Sequence, residues 1–255
     1  MIREERLDRI LEFIDKHQYA SVESLMTLVD ASKSTIRRDL IQLNEEGKIT
    51  FVRGGAASVN KNFLPESRYQ DKQSSYIEEK QRIGAAAASL IRSGENVFVA
   101  PGTTTRMILS NLPADGHFSI VTNDILIAND LALSENVNVC VTGGWLRKEY
   151  YSVSGFQAEE CIRGMKIGTA FIGCDAIDTR SGCFIANEDE VGFIHELIKA
   201  SHRVVLVADH SKFYSNAFLK ICDFSQIKVL ITDSGVSEEV LNYLKKKYDM
   251  KIMVV

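Results

Sequence analysis

Hydrophobic side chains recur at helical spacing in three consecutive segments near the start of the chain, so each segment has one apolar helix face. These apolar residues are Leu7, Ile10, Leu11 and Ile14, then Leu25, Leu28 and Val29, and then Ile36, Leu40 and Leu43. Ser21 and Ser32 precede the second and third segments, where a serine hydroxyl can accept from first-turn N–H groups. The pattern therefore predicts three helices, with a short break at Tyr19–Ala20 and a stop at Gly47.

The segment after the third helix is typical of a short hairpin. Residues 48–52 are β-prone, and Arg53-Gly54-Gly55 provides a cationic turn. Three short helices with brief connections, followed by a hairpin, predict a winged helix-turn-helix domain. We place this domain at residues 1–57. Residues 58–76 are polar, contain Pro65 and show no hydrophobic period, which predicts a linker.

From residue 77 onward, apolar strands alternate with helices. The predicted strands are residues 96–100, 118–122, 137–142, 169–174, 203–208, 228–232 and 251–255. The predicted helices are residues 77–91, 104–112, 125–133, 156–163, 188–200 and 237–247. This alternation indicates a parallel sheet covered on both faces. The predicted fold class is therefore α/β, with an N-terminal winged helix-turn-helix domain and a larger, mostly parallel α/β domain over residues 77–255.

The polar face of the third helix carries the residue types that contact DNA. Hydroxyls and lysine contact phosphates, and arginine contacts guanine edges or phosphates. Acidic residues dominate positions 1–30 whereas cations cluster between residues 33 and 53, as a DNA-binding face requires. The candidate DNA-binding residues are Ser32, Lys33, Ser34, Thr35, Arg37 and Arg38 on the helix, with Lys48 and Arg53 on the hairpin. Taken alone, the segment also fits a solvated amphipathic helix beside a surface hairpin.

Net charge, apolar runs and cysteine spacing limit the classes of protein to which the chain can belong. The 255 residues carry a net charge of −4, so any DNA-binding cations must be concentrated locally. No apolar run approaches the ~20 residues of a membrane span, and the first residues lack the apolar core of a signal peptide. The five cysteines are scattered without a C-x-x-C pair, which argues against zinc and disulfide sites. We therefore expect a cytoplasmic protein with reduced cysteines, no membrane association, no metal and no cofactor.

Polar residues follow several predicted strands, at the edge of the sheet where open α/β domains bind ligands. After the first strand, Pro101-Gly102-Thr103-Thr104-Thr105 combines a glycine with three hydroxyls, which can cradle a phosphate; a plain threonine-capped turn is the alternative. Lys212 can pair with a phosphate or another oxyanion, whereas the adjacent His210 is expected to be structural. The candidate ligand-binding residues are Gly102, Thr103, Thr104, Thr105, Thr122, Asn123, Gly143, Gly144, Asp175, Asp178, Glu190 and Lys212.

The chain resembles a known family at specific motifs in both regions. Residues 6–56 resemble the N-terminal domain of DeoR-family transcriptional regulators. The motifs are Ser34-Thr35-Ile36-Arg37-Arg38-Asp39-Leu40, Leu43, Gly47 and Gly54-Gly55-Ala56. Phe51 departs from the family pattern, which usually has a basic wing residue at this position. The resemblance implies DNA binding by the third helix, with wing contacts that rest on Arg53 and Lys48.

Residues 77–235 resemble the effector domain of the same family, which is similar in fold to ribose-phosphate isomerases and amino-sugar phosphate deaminases. The matching stretches are Gly102-Thr103-Thr104, Val121-Thr122-Asn123, Gly143-Gly144, Phe171-Ile172-Gly173-Cys174-Asp175-Ala176-Ile177-Asp178, Asp209-His210-Ser211-Lys212-Phe213 and Ile231-Thr232-Asp233. Departures occur at Cys174 and Ala176, which flank Asp175, and at Pro101 before Gly102. The resemblance implies binding of a phosphorylated sugar or polyol, with an altered sugar side of the pocket.

Two functions fit these observations. The first is a DNA-binding regulator, expected to repress a carbohydrate uptake or catabolism operon until a phosphorylated sugar or polyol relieves it; activation stays open. Such a regulator binds operator DNA as a homodimer or homotetramer. The second is a sugar-phosphate isomerase-like enzyme with an accessory helical domain, in which Asp175, Glu190 and Lys212 form an acid–base set. The DNA-reading helix favours the regulator, because an isomerase has no use for it, and we expect no catalytic residues.

Overall fold

The computed structural model describes residues 2–17, 19–52, 55–59 and 68–255. Arg53 and Gly54 at the predicted wing tip, and residues 60–67 of the predicted linker, lie outside the described residues. The N-terminal domain contains three helices and a three-stranded antiparallel sheet. The helices are α1 (Arg3–His17), α2 (Val22–Val29) and α3 (Lys33–Glu45), and the strands are β1 (Tyr19–Ser21), β2 (Ile49–Val52) and β3 (Gly55–Ser58).

Both predicted serine caps are present in the N-terminal domain. The Ser21 hydroxyl accepts from the Ser24 N–H at 3.0 Å, and the Ser32 hydroxyl accepts from the Thr35 N–H at 3.3 Å. The apolar faces of the three helices meet in one core, as their spacing predicted; its fully buried members include Ile10, Ile14, Leu25, Ile36 and Leu40. Gly47 follows α3 with φ 67°, which confirms the predicted stop.

The predicted break at Tyr19–Ala20 separates α1 from α2, and its residues form the strand β1, which was not predicted. This strand pairs antiparallel with β3, with Ala20 opposite Ala56, and the sheet order is β1-β3-β2. A three-residue strand is too short to show an alternating pattern, and its partner comes much later in the chain. The hairpin of β2 and β3 confirms the predicted wing.

The C-terminal domain contains one large sheet, two small sheets and seven helices among the described residues. The strands are β4 (Asn96–Val99), β5 (Phe118–Thr122), β6 (Val137–Val141), β7 (Trp145–Arg147), β8 (Ser152–Ser154), β9 (Ile167–Ile172), β10 (Ala176–Asp178), β11 (Gly182–Ile185), β12 (Ser201–Val207), β13 (Leu219–Cys222), β14 (Val229–Thr232) and β15 (Lys251–Val254). The helices are α4 (Tyr69–Ser74), α5 (Ile77–Ala88), α6 (Thr103–Arg106), α7 (Ile125–Leu131), α8 (Phe156–Arg163), α9 (Val191–Ala200) and α10 (Glu238–Lys247).

The large sheet has the order β15-β14-β12-β9-β4-β5-β6, and all of its strand pairs are parallel. Successive residues of a strand enter different cores, as the period of two requires: Val97 of β4 packs with α5 and α7, and Phe98 packs with α8 and α9. The sheet is therefore covered on both faces, which confirms the predicted α/β fold. Within the part of the chain that the structure describes, no helix has the length and apolar character needed to cross a membrane.

Several short elements were not predicted from the hydrophobic pattern. Strands β7 and β8 form a hairpin, and β10, β11 and β13 form a small antiparallel sheet. The predicted helix over residues 104–112 consists of α6 and a separate 3₁₀ turn at Leu109–Asn111. The spacing of apolar residues does not show this interruption, because α6 contains no apolar residue and the apolar residues Ile108, Leu109 and Leu112 all lie in or next to the 3₁₀ turn.

The second half of the predicted linker contains the helix α4. Its first residue, Tyr69, is only 5% exposed, although the rest of the helix is polar. A six-residue helix with a single apolar anchor shows no hydrophobic period, which is why the sequence predicted an irregular segment here. The domain boundaries themselves stay predictions.

Candidate functional site

The outer face of α3 presents two arginines to solvent. Arg37 and Arg38 are exposed, and neither side chain has a hydrogen bond or ion pair with any other described residue. Ile36 and Leu40 bury the opposite face of the helix. A guanidinium offers five N–H donors in a rigid fork, which suits a guanine edge or a phosphate. These two side chains are therefore available to nucleic acid without breaking an internal contact.

The other described residues that were predicted to bind DNA already have contacts within the N-terminal domain. The Ser32 hydroxyl caps α3 and lies 3.0 Å from the Ser34 hydroxyl and 2.9 Å from the Thr35 hydroxyl. Lys33 pairs with Glu23 at 3.4 Å, and Lys48 pairs with Glu46 at 2.8 Å; both lysine side chains are 55% exposed. Exposed pairs of this kind are weak, so a phosphate can displace either carboxylate. Arg53 lies outside the described residues.

Asp39, in the motif that carries the family resemblance, holds the N-terminal domain together. Its carboxylate is buried and accepts from Arg6 Nε at 2.7 Å and from Arg6 Nη2 at 3.3 Å. The pair is bidentate and connects α1 to α3. Asp39 therefore holds α3 against α1, and the guanidinium of Arg6 neutralises its negative charge.

A cavity lies at the carboxyl ends of β4 and β9, next to the point where the strand order reverses. The chain runs from β4 to β5 and β6 on one side of the sheet and then returns to β9 on the other side. Residues 100–105 after β4 and residues 172–175 at the end of β9 line this cavity. Such a reversal leaves a crevice between the diverging connections, which is where open α/β sheets bind ligands.

The loop after β4 supplies two available hydroxyls. Gly102 has φ 149°, a conformation that favours glycine. The Thr105 hydroxyl donates to the Gly102 carbonyl at 2.9 Å, and the start of α6 at Gly102 has no side-chain cap among the described residues. Thr103 and Thr104 are buried side chains that line the cavity, and their hydroxyls have no hydrogen-bond partner among the described residues. The threonine cap that the sequence offered as the alternative is not formed, and two of the three hydroxyls are left for a ligand.

Asn123 lines the cavity with an unsatisfied acceptor. Its Nδ2 donates to the Val153 carbonyl at 3.0 Å, which fixes the orientation of the amide because a carbonyl needs a donor. Its Oδ1 is buried and has no partner within the described ranges. Leaving a buried acceptor unpaired costs about 1–3 kcal/mol, so a ligand hydroxyl that donates to it gains a favourable contact.

The cavity is rich in cationic side chains. It is lined by Lys72, Lys80, Arg147 and Lys212, and by two carboxylates, Asp175 and Glu190. The lining therefore carries an excess of two positive charges, although the whole chain has a net charge of −4. Because a cleft with low-dielectric walls focuses the field of its charges, this arrangement attracts anions.

Asp175 is ionised and paired. Its carboxylate accepts from Lys72 Nζ at 2.8 Å and from the Ala186 N–H at 3.0 Å. Burial alone would raise the pKa of Asp175, but the charges of Lys72 and Lys212 outweigh it and lower the pKa below its ordinary value. The side chain of Lys212 has no hydrogen bond or ion pair among the described residues. A carboxylate in this state is a weak general base, whereas Lys212 is available to an incoming anion.

Glu190 is held by the hairpin of β7 and β8. Its Oε1 accepts from Arg147 Nη1 and, at 3.1 Å, from the Ser152 hydroxyl. The guanidinium of Arg147 also lies over the ring of Tyr150, 4.6 Å from its centroid. This hairpin, which the sequence did not predict, therefore forms one wall of the cavity.

Lys80 is a buried cation at the cavity wall. Its Nζ donates to the carbonyl oxygens of Lys72 and, at 2.6 Å, of Ser75. Burial lowers the pKa of Lys80 to about 8; the charge of Asp209 opposes this decrease, and those of Lys212 and Lys72 add to it. An anion bound nearby would stabilise the protonated form and raise this pKa.

Thr122, Gly143 and Gly144 were predicted to bind the ligand, but the structure does not place them in the cavity lining. The Thr122 hydroxyl donates to the Val99 carbonyl at 2.7 Å and thereby ties β5 to β4. Gly144 lies against β8, where an added Cβ would come within 2.5 Å of the Ser154 carbonyl oxygen. Thr122 and Gly144 therefore face neighbouring backbone, whereas an added Cβ on Gly143 would meet nothing within 4 Å.

Asp178 is also separated from the cavity. It is exposed at the turn between β10 and β11, where its Oδ1 accepts from the Arg180 N–H at 2.8 Å and from the Ser181 N–H at 2.9 Å. The chain leaves the large sheet after Ile172 and enters β10 at Ala176, so Asp175 lies at the cavity and Asp178 lies at the far end of β10. The structure thus brings together Gly102, Thr103, Thr104, Thr105, Asn123, Asp175, Glu190 and Lys212.

Six polar cavity residues were missed by sequence reasoning: Tyr69, Lys72, Lys80, Arg147, Tyr150 and Ser152. A signal existed for Lys80, because it shares the buried face of α5 with Ile83 and Ala87 at i, i+3 and i+7. A lysine on an apolar helix face indicates a buried cation with a function or a partner. No comparable signal marks Lys72, which lies in a polar stretch.

Two family models match the chain. The DeoR C terminal sensor domain matches residues 75–234, and the DeoR-like helix-turn-helix domain matches residues 6–62. The chain belongs to the DeoR family. It is a transcriptional regulator of this family, with a helix-turn-helix domain that contains α3 and a sensor domain that contains the cavity. The family resemblance predicted from the sequence is thereby confirmed.

Similar curated proteins cover nearly the whole DeoR-family chain. The HTH-type transcriptional repressor GlcR of Bacillus subtilis is 34% identical over 91% of this chain and 89% of its own. The HTH-type transcriptional regulator GlpR of Haloferax volcanii is 35% identical over 94% and 93%, and the glycerol-3-phosphate regulon repressor of Escherichia coli is 30% identical over 96% and 96%. Among solved structures, ribose 5-phosphate isomerase A from Neisseria gonorrhoeae aligns with 53% of each chain at 14% identity and a TM-score of 0.37.

Proposed function

We propose that this DeoR-family protein represses a carbohydrate uptake or catabolism operon and that a phosphorylated sugar or polyol relieves the repression. Two relatives are named as repressors, and one name specifies a glycerol-3-phosphate regulon. The exposed Arg37 and Arg38 support operator binding by α3. The cavity of the sensor domain supports a small anionic effector.

The observation that carries the proposal is the charge of the cavity lining. A phosphate monoester has about −1.5 to −2 charges at pH 7, which matches the excess of two positive charges around the cavity. Thr103 and Thr104 add hydroxyl donors without internal partners, and Lys212 adds a cation without an ion pair among the described residues. We assign the phosphate to these groups, as charge-assisted hydrogen bonds to a phosphate are short and strong.

The remaining polar groups suit a polyhydroxylated ligand body. Asn123 Oδ1 requires a donor, and a sugar or polyol hydroxyl provides one. Asp175 and Glu190 offer acceptor oxygens at the cavity wall, even though each is paired with a cation. A ligand with a phosphate at one end and hydroxyls at the other therefore satisfies more of the lining than inorganic phosphate does.

The proposed regulation is linkage between two binding sites. If the effector binds the DNA-incompetent arrangement more tightly, it shifts the population away from the DNA-competent one. A coupling free energy of ~1–3 kcal/mol changes operator affinity ~5–150-fold. The protein acts as a homodimer or homotetramer in this scheme, because one winged helix reads a short site and two related copies read a symmetric operator. Light scattering of the full chain measures that assembly.

Calorimetry with matched phosphorylated and unphosphorylated compounds tests the proposal. Glycerol 3-phosphate and glucose 6-phosphate are the first probes, with glycerol and glucose as their controls. Binding at pH 8 is expected to take up as much as about half a proton, because Lys80 has a pKa of about 8 and a bound anion raises it. The measurement is the dependence of the binding enthalpy on the ionisation enthalpy of the buffer.

The pKa of Lys80 also predicts the direction in which effector affinity changes with pH. Above pH 8 the lysine loses its charge in the empty cavity, so effector affinity is expected to fall as the pH rises from 8 to 10. Near pH 7 the lysine is already protonated, and the uptake should shrink to about a tenth of a proton. The phosphate itself is a dianion at pH 8 and contributes little. Equal affinity for phosphorylated and unphosphorylated compounds across such a panel would contradict the phosphate assignment.

An isomerase-like enzyme is the alternative, and the site offers a specific reason against it. Asp175, the candidate base, has a lowered pKa and an ion pair with Lys72. We expect binding without turnover when pentose, hexose and amino-sugar phosphates are incubated with stoichiometric protein and followed by NMR. Product formation at a rate that Asp175→Asn and Lys212→Ala both abolish would instead show a bifunctional protein.

A further inference from the structure

The helix α4 forms part of the cavity wall. The Tyr69 hydroxyl accepts from Arg106 Nη1 at 3.2 Å, and the Tyr69 ring lies edge-on to the ring of Tyr151, with 5.4 Å between their centroids. Three residues further along, Lys72 Nζ lies 2.8 Å from the carboxylate of Asp175. The helix is therefore attached to α6, to the β7–β8 hairpin and to the segment after β9, and each of these lines the cavity.

Lys80 attaches the other end of α4. Its Nζ donates to the carbonyl oxygens of Lys72 and Ser75, which lie in the last turn of α4 and just after it. A cation at this position also interacts favourably with the negative end of a helix. Lys80 is only 3% exposed and is carried by α5, so it connects α4 to the body of the sensor domain.

Three lysines lie together where α4 is attached. Lys72, Lys80 and Lys212 lie close enough for the charges of Lys72 and Lys212 to act on Lys80, and only Lys72 among them has a carboxylate partner in the part of the chain described. With the cavity empty, the charges of Lys72 and Lys212 repel that of Lys80, and the carboxylate of Asp209 counteracts this repulsion. An anion between them removes the repulsion and adds contacts to Lys72, which belongs to α4, and to Lys212, which belongs to the sheet edge.

We propose that α4 is both a wall of the effector site and the element through which occupancy of the cavity reaches the DNA-binding domain. In sequence, α4 lies between the winged helix-turn-helix and the first helix of the sensor domain, so every backbone path between the two domains passes through it. A bound anion holds α4 docked by Lys72 and Lys80. The inference rests on the proposed function: since the effector relieves repression, docked α4 corresponds to the DNA-incompetent arrangement.

Hydrogen exchange of the full chain tests this inference with inorganic phosphate as the probe and sodium chloride at equal ionic strength as the control. We expect phosphate to slow exchange in residues 69–80 and also in residues 101–106. Slower exchange in residues 101–106 alone would overturn the role of α4 and leave the phosphate site intact. No slowing in either segment, with no calorimetric binding of glycerol 3-phosphate or glucose 6-phosphate, would overturn the proposed function as well.

A pair of matched variants gives a second test. Lys72→Met removes the ion pair to Asp175, and Lys220→Met removes an ion pair of the same type, at 2.6 Å to Asp223 on the surface. Lys72→Met is expected to speed exchange in α4 about tenfold and to reduce the effect of glycerol 3-phosphate or glucose 6-phosphate on operator affinity by a similar factor. Lys220→Met should match the wild type in both measurements.

A second variant, Asp175→Asn, covers the case in which Lys72→Met does not fold. Asp175→Asn removes the same pair from the other side while keeping the acceptor for the Ala186 N–H, so it replaces Lys72→Met if that variant does not fold by circular dichroism. Wild-type exchange in α4 together with a wild-type effector response, in either folded variant, would exclude α4 as the coupling element.

Discussion

Lys212→Ala leaves operator affinity near the wild-type value and removes the response to the effector. Lys212 lines the cavity, lowers the pKa of Asp175 by its charge, and has no ion pair of its own among the described residues. Its ammonium is therefore free to bind a phosphate. A hydrogen bond to a charged group contributes about 1.5–3 kcal/mol, so effector affinity should fall ~10–150-fold. DNA binding should not change, because Lys212 is a residue of the sensor domain.

The matched control for this variant is Lys246→Ala, which removes an exposed lysine of α10. Operator affinity is measured by fluorescence anisotropy with and without glycerol 3-phosphate or glucose 6-phosphate, and effector affinity by calorimetry. Lys246→Ala should behave as wild type in both. If Lys212→Ala retains the full effector response, the phosphate does not bind at this end of the cavity, and Lys212 has only an electrostatic effect on Asp175.

Arg37→Ala and Arg38→Ala weaken operator binding, each by ~1–3 kcal/mol if the arginine binds a base edge through two of its N–H donors. Both side chains are exposed on α3 and have no described internal partner, so the loss reports DNA contacts and not the stability of the domain. An arginine that contacts only phosphate gives a different result: the loss is similar for operator and unrelated DNA, and the salt dependence becomes less steep.

Arg9→Ala is the matched control, since it removes the same charge from an exposed position on α1 of the same domain. Mobility shifts with operator and with scrambled DNA, at two salt concentrations, separate base contacts from phosphate contacts. Unchanged operator affinity for both α3 variants would remove this helix from the interface, and Lys48 and Arg53, the cations predicted for the wing, would then be the remaining candidates.

Much of the N-terminal domain was predictable because its signals are local. A serine cap depends on an N–H group three residues away, and the spacing of Ile36, Leu40 and Leu43 depends on neighbours within two turns of one helix. The exposure of Arg37 and Arg38 follows from the same period. The role of Asp39 does not, because its partner Arg6 lies on another helix and only the packing of α1 against α3 brings the two together.

In the candidate site, too, residues with a local signal were predicted, and residues placed by tertiary packing were not. The threonine loop after β4 and Lys212 after β12 were recognised because each follows a buried strand, and parallel strands end at one edge of the sheet. The hairpin that carries Arg147 was not recognised, since strands of three residues have too few positions to show a period of two. Asp175 and Asp178 looked equivalent in sequence, but β10, which begins directly after Asp175, carries Asp178 away from the cavity.

The sequence by itself thus determined the winged helix-turn-helix, the alternation of strands and helices, and the loop with free hydroxyls, because hydrophobic period and capping act over a few residues. Only the tertiary structure decided that β4 and β9 are neighbours, so that the cavity opens between them. It also decided that α4 docks at this cavity, where Lys72 pairs with Asp175 and Lys80 donates to the Ser75 carbonyl just after the helix. Strand order and ion pairs between distant segments depend on which surfaces bury together, and no local pattern of side chains contains that information.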